Sequence, residues 1–498
     1  MTLRSPRNEF VRRAVLALAP AVLLLLATAG SASAATKFDS IMQDDRLFGT
    51  PDVQAKSLDT ADGLGVGVIH TIVGWRGLAP KPTAKKKPRG FNAADPGDYD
   101  VDSWDRFDDL VRGANDRGIQ ILMSPAGPIP NWASMCPRPG KFNVCRPNPK
   151  EYQLFMQAVG KRYSGRYNDE NQGRGRLPKV QRMSIWNEPN LRAWIDPTKG
   201  NAATYRALIY AGETGLRKGK WRGQLYIGEV APLKSLTFWQ NLFCIDSRGK
   251  TLTGSKAKSV GCTGRRIKRF KATGIAHHPY TRGGAPPFKK DKSTDLTLSG
   301  TNKLVNVLDQ AAKVGAIKRN IPIYLTEFGI STDPPDDKFG VPFRQQAEGI
   351  NRAELIAYDH KRVFGFTQFQ LSDDIGTGQE EGSVKTFQTG LRTRDDEEKP
   401  SFAAYRIPLF VVKSGGGVRV WGGVRPGAGT DVDIQRGTSG NFTTVKTVKV
   451  DRYGFIDENV DVSSGDIRLR WTGPNGQEFT SRTADIEPES SIALPRAR

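Results

Sequence analysis

Histidine and cysteine are scarce in this sequence, four of each among 498 residues. The histidines are not spaced as a metal triad, and no cysteines stand in the short Cys-x-x-Cys spacing, so no zinc site is expected. Long apolar runs are missing after residue 34, which excludes a later membrane span. No repeat of solenoid length is present. Nor is there a basic module interleaved with aromatics, so nucleic-acid binding has no motif to rest on, although the formal charge is +22.

What is present starts with Arg4, Arg7, Arg12 and Arg13 ahead of an apolar run over 14–29, closed by the small residues Ala32-Ser33-Ala34. This order predicts a secretory signal peptide over 1–34 and a mature, extracellular chain from about Ala35. The run is shorter than the ~20 residues a spanning helix needs, which favours cleavage over a retained anchor. Export makes disulfides the expected state of Cys136 with Cys145 and of Cys244 with Cys262, each pair enclosing a loop rich in Pro, Gly or Lys. Free thiols or another pairing are the alternative. Removing 1–34 takes away four arginines and Glu9 and leaves about +19 on the mature chain. Clusters such as Lys85-Lys86-Lys87, Arg265-Arg266 and Lys289-Lys290 point to an anionic surface or polymer as neighbour, or to no more than a solvated basic surface.

Short β-branched apolar runs alternate with helix-patterned segments, the order of βα units around a parallel sheet. The runs cover 40–43, 66–73, 119–124, 180–187, 224–229, 273–278, 321–327 and 363–370, with helices predicted over 104–116, 151–163, 203–217, 302–314 and 345–358. Eight such units over 35–408 predict an α/β fold, a closed (β/α)₈ TIM barrel. After Pro408 the pattern turns to short alternating strands over 418–421, 432–435, 443–450, 454–458 and 467–471, with turns at Pro426-Gly427 and Pro474-Asn475-Gly476. This predicts a small C-terminal β-sandwich over 409–498, either a cap on the barrel or a carbohydrate-binding module.

In such a barrel the chemistry sits where the strands end. The fourth ends in Ser184-Ile185-Trp186-Asn187-Glu188-Pro189-Asn190 and the seventh in Tyr324-Leu325-Thr326-Glu327-Phe328-Gly329. Each places a carboxylate where its apolar strand stops. A Glu beside Trp or Phe is partly desolvated and becomes a usable proton donor. A second, ionised Glu opposite can attack a sugar carbon, with ~5–5.5 Å between the carboxyls for retention and ~6.5–9.5 Å for inversion. Taken singly, each glutamate is equally well a salt-bridged rim residue.

The segments Trp186-Asn187-Glu188-Pro189-Asn190 and Thr326-Glu327-Phe328-Gly329 resemble those of clan A glycoside hydrolases, whose acid/base follows an Asn at the end of strand four and whose nucleophile ends strand seven. The resemblance runs over about 38–408 and looks strongest to bacterial members of families 39 and 5. Pro128-Ile129-Pro130-Asn131-Trp132 resembles the clan's substrate-platform segment and His277-His278-Pro279-Tyr280 its His-Pro-Tyr motif. The resemblance implies a retaining double displacement with Glu188 as acid/base and Glu327 as nucleophile, needing neither metal nor organic cofactor. It implies that Asn187 binds the 2-hydroxyl of the −1 sugar, that Tyr280 holds the nucleophile and that His278 lines the pocket. Trp132 and Trp194 are candidate sugar-stacking faces, or else core and loop packing.

Two positions depart from the clan's pattern. His70 stands where an Arg contacting the nucleophile is usual, and Gln370 where many relatives place a Trp beneath the −1 sugar, replacing stacking with hydrogen bonds. The implied function is a secreted retaining glycosidase acting as a monomer on a poly- or oligosaccharide. The alternative is a non-catalytic carbohydrate- or cell-wall-binding protein on the same scaffold. Sugar, linkage and exo or endo action are set by subsite loops and not by the catalytic pair.

Overall fold

Eight parallel strands close on themselves: β1 (Asp39–Gln43), β2 (Val68–Gly74), β3 (Gln120–Ala126), β4 (Arg182–Ile185), β5 (Gln224–Val230), β6 (Gly274–His277), β7 (Ile323–Leu325) and β8 (Val363–Phe369), with β8 pairing back onto β1. The computed structural model describes residues 38–138, 140–281, 294–374, 386–438 and 440–493. The expected signal peptide and the Lys289-Lys290 cluster lie outside them. Among the described residues no helix is long and apolar enough to cross a membrane.

Every strand falls on one of the eight apolar runs, and its ends lie within two residues of the expected ones. The fourth and seventh runs are trimmed at both ends, so Asn187-Glu188 and Thr326-Glu327 leave the ladder and turn into the mouth. The five predicted helices are present as Asp105–Asp116, Pro149–Arg162, Asn201–Lys218, Thr301–Lys313 and Phe343–Asp359. Among the helices that were not expected is Pro51–Gly63, whose buried face is Gln54, Ser57, Leu58 and Ala61, with a single large apolar side chain. Helices Pro149–Arg162 and Asn201–Lys218 press together at Gly215, where a Cβ would strike the carbonyl oxygen of Gln153, so only glycine permits the approach.

Inside the barrel, the lower layer is sealed by Ile41, Val68, Leu122, Tyr226, Ala276 and Tyr324. Tyr226 stacks on Tyr324 at 4.3 Å, and Arg182 closes the floor through Asp39 at 2.6 Å. This floor is packed rather than open, so the interior is reached from the carboxyl end of the strands.

The chain after Pro408 forms two antiparallel sheets, β13-β10-β9 and β12-β11-β14-β15, from β9 (Leu409–Ser414), β10 (Gly417–Gly423), β11 (Asp431–Thr438), β12 (Asn441–Lys449), β13 (Phe455–Val460), β14 (Asp466–Thr472) and β15 (Glu478–Thr480). Strands β9 and β15 had no counterpart in the sequence pattern. The sandwich is anchored to the barrel by Trp421 and Phe455 against Tyr358 and Phe38, and by Arg425, which pairs with Glu354 and donates to the Tyr405 carbonyl at 2.7 Å. Its two tryptophans, Trp421 and Trp471, are buried and turned away from solvent.

Candidate active site

The polar layer above the floor follows from the pleat. Strand side chains repeat every two residues, so the inward positions after Val68, Leu122, Ala276 and Tyr324 are His70, Ser124, His278 and Thr326. Strand β5 joins them by a bulge. Its register against β6 shifts between Ile227 and Val230, with Gly228 at φ 126° and Glu229 at φ 47°, and the extra residue turns Glu229 toward the interior layer. Glu229 is fully buried. It accepts hydrogen bonds from Ser124 Oγ at 3.3 Å and from Thr326 Oγ1, and its Oε2 lies 2.9 Å from His278 Nε2.

The two carboxylates singled out from the sequence stand above this layer, both at the Nδ1 edge of the His278 ring, with Glu229 at the Nε2 edge. His278 Nδ1 is 3.2 Å from Glu188 Oε1 and 3.4 Å from Glu327 Oε2. One oxygen of Glu188, one of Glu327 and one ring nitrogen of His278 all lie within 4.8 Å of one another. Tyr280 donates its hydroxyl to Glu327 Oε2 at 3.2 Å, and Trp194 donates its indole N–H to Glu188 Oε2 at 3.1 Å. Glu188 is partly exposed, whereas Glu327 is 7% exposed.

The charges are strongly coupled. Burial alone would push the Glu229 carboxyl up, but attraction to His70 and the hydrogen bond and charge of His278 outweigh it and hold the group down at about 2. Burial likewise disfavours a charged His278, and the pull of Glu327, Glu188 and Glu229 overcomes it, raising the ring well above the usual histidine range. Both ring nitrogens face carboxylates, Nε2 toward Glu229 and Nδ1 toward Glu188 and Glu327, the surroundings that favour the doubly protonated ring. Its neighbour His277 is the reverse case. Burial drives it down to about 4, and the neutral ring donates Nε2–H to the Leu296 carbonyl at 2.7 Å.

Burial first, then repulsion from Glu188, Glu229 and Asp45, push the Glu327 carboxyl up to about 8 against the pull of His278. That direction opposes a nucleophile's need for charge.

The other expected site residues divide. Asn187 sits at the mouth, 2% exposed, and its Oδ1 has no hydrogen-bond partner among the described residues. Both disulfides form as expected, Cys136–Cys145 and Cys244–Cys262. His70 does not occupy the role of the missing Arg. It is fully buried one layer down, between the Thr326 carbonyl at 3.1 Å and Ser124 Oγ at 2.8 Å, and touches Glu229 rather than Glu327. Gln370 has its amide committed within the protein, donating to Asp374 at 2.7 Å and accepting from the Thr389 hydroxyl at 2.8 Å. Trp132 is packed edge-on against Trp75 and Phe91 and donates to the Pro80 carbonyl, so its faces belong to the core.

Two participants were not anticipated. Glu229 ends the fifth apolar run, so the strand-end rule that found Glu188 and Glu327 applied to it as well. Asp45, just beyond β1, accepts from Thr71 Oγ1 at 2.9 Å, the Ile72 amide at 2.7 Å and Gln43 Nε2 at 2.9 Å, and adds its charge to the field on Glu327. No sequence signal marks it, since it lies in a short helix after the strand.

No family profile and no curated protein matches the sequence. The chain is similar to solved structures at low identity. The GH39 enzyme from Xanthomonas axonopodis pv. citri is similar at 15% identity and TM-score 0.48 over 87% of this chain and 93% of its own. The monomeric beta-xylosidase from Caulobacter crescentus CB15 is similar at 15% identity and TM-score 0.48 over 85% and 94%. The endo-beta-1,4-mannanase from Thermotoga petrophila is similar at 13% identity and TM-score 0.41 over 91% and 98%.

Proposed function

We propose that this protein is a secreted glycoside hydrolase that cleaves O-glycosidic bonds with retention, Glu327 serving as nucleophile and Glu188 as acid/base. The observation that carries the reading is the approach of one Glu188 oxygen to one Glu327 oxygen within 4.8 Å. Double displacement uses carboxyls ~5–5.5 Å apart, whereas inversion needs ~6.5–9.5 Å to admit a water.

Glu327, steadied by the Tyr280 hydroxyl, attacks the anomeric carbon as Glu188 passes its proton to the leaving oxygen. The glycosidic C–O bond breaks while the glycosyl ester forms. Glu188, now ionised, takes a proton from water, whose oxygen attacks the same carbon and returns Glu327 as a free carboxylate. The unpartnered Asn187 Oδ1 is an acceptor for a hydroxyl of the sugar in the −1 subsite. The Trp194 N–H on Glu188 orients the proton donor toward the leaving group. Two disulfides agree with export, and about +19 on the mature chain makes an anionic or cell-surface glycan the first substrate class to try.

The test is hydrolysis of a panel of aryl glycosides and polysaccharides followed by proton NMR of the first-formed anomer, together with trapping by a 2-fluoro glycosyl fluoride. Retention and a label on Glu327 are expected. Inversion, or a label elsewhere, would overturn the assignment of roles, and a lack of turnover on the whole panel would favour a binding protein.

A further inference from the structure

Glu229 is a third carboxylate, which double displacement does not consume. It is fully buried, and a buried carboxylate is tolerated only when it is paired and fully hydrogen-bonded. Its pairing is complete: Ser124 on β3, Thr326 beyond β7 and His278 beyond β6 donate to it, and His70 on β2 lies 3.7 Å away. The backbone bends to achieve this, since Glu229 adopts the left-handed region that favours glycine, inside a bulge whose extra residue aims it at the His278 ring.

We propose that Glu229 is a positioning residue for the glycosidase reaction proposed above: by accepting from Nε2 it fixes the His278 ring so that Nδ1 faces Glu188 and Glu327, and the ring sets the field in which that pair works. A neutral imidazole carries one N–H, and with carboxylates against both of its nitrogens it would turn a lone pair toward one of them. Glu229 settles the ring by accepting from Nε2, which leaves Nδ1–H facing Glu188 and Glu327. The charged and titratable groups around the ring are Glu188, Glu229, Glu327, His277 and Tyr280, with His70 behind Glu229 and Asp45 beside Glu327. Among them His278 is the group that pulls Glu327 down, so the charge on that ring decides how readily Glu327 ionises.

The test combines nitrogen-15 NMR of the histidine rings, tractable with four histidines, and the pH dependence of aryl glycoside hydrolysis. In the wild type His278 is expected to carry protons on both nitrogens at pH 7.5. In Glu229→Gln, which keeps the acceptor and removes the charge, the ring's midpoint should fall by about one pH unit or more. There kcat should drop about tenfold, with KM within about threefold, and the acidic limb of kcat/KM should shift, because both the Glu229 charge and the His278 charge it sustains act on Glu327. Glu229→Asp, which keeps the charge, should bring the limb back. An unchanged His278 midpoint or an unchanged limb in Glu229→Gln would overturn the proposal. Should that variant not fold, a neutral His278 in the wild type at pH 7.5 would overturn it and a doubly protonated ring would sustain it. If the wild type cleaves no glycoside, the glycosidase reading falls, while the ring midpoints of the two proteins still decide whether Glu229 controls His278.

Discussion

The barrel and the sandwich are filled by opposite means. The sandwich core is aliphatic, built from residues such as Leu409, Val411, Val420, Ile434, Ile467 and Leu469 with Trp471 at one side. The upper third of the barrel is filled instead by His70, Ser124, Glu229, His278 and Thr326, with Glu327 just above, all buried and held by hydrogen bonds. An aliphatic core is stabilised by area removed from water and tolerates no special geometry. A polar layer contributes little net stability, yet it fixes where charges sit to within a few tenths of an ångström. The difference teaches that substitutions in the two regions should fail in different currencies, rate in one and stability in the other.

The largest effect breaks the comparison at the barrel mouth. Glu327→Ala is expected to lower kcat by about 10⁴-fold or more while the melting temperature stays within a few degrees of wild type. Steady-state hydrolysis of an aryl glycoside and a thermal melt on the same preparation check both halves. Glu188→Ala should cost about 10²–10⁴-fold, the smaller loss falling on substrates with acidic phenol leaving groups that need no proton, as a series of aryl glycosides would reveal. Leu469→Ala in the sandwich is the converse. It should destabilise by about 2–5 kcal/mol in denaturant unfolding and leave kcat per folded molecule unchanged. A loss of kcat there would mean that the sandwich acts on the mouth and not merely as packing.

How much of this was legible in the sequence depended on how far apart the deciding partners lie. The barrel strands were readable because each is a local apolar run, and Glu188 and Glu327 because a carboxylate ending such a run is itself a local feature. The helix Pro51–Gly63 was hidden by a polar buried face, and β15 by its length of three residues. The fates of His70 and Gln370 were illegible for another reason. His70 is claimed by Thr326, 256 residues away, and Gln370 by Thr389, 19 residues on, so neither is free for the role its position implied. Trp132 looks the same in sequence whether its face meets a sugar or Trp75. Glu229 could have been noticed as a strand-ending acid, but its purpose rests on His278, 49 residues on, and on a bulge that no residue pattern announced.

The smallest effect is the sharpest on the central contrast, because it asks what the polar layer costs. The Glu229 carboxyl is lowered on folding, so it contributes stability that is present above about pH 4.3 and lost as the pH falls toward about 2. The Glu327 carboxyl is raised to about 8, so the folded state binds a proton that the unfolded state releases, and stability declines as the pH rises from about 4.3 toward 8. Replacing Glu327 by Gln keeps the shape and removes that decline. Glu327→Gln should therefore be more stable than wild type at pH 7 by about 1–3 kcal/mol and no more stable at pH 4, where the wild-type group is already protonated. Urea unfolding at the two pH values measures the difference directly. A gain at pH 7 that vanishes at pH 4 would mean that the mouth holds its nucleophile at the expense of the fold, whereas equal stability at both would show that His278 and Tyr280 already compensate Glu327 in full.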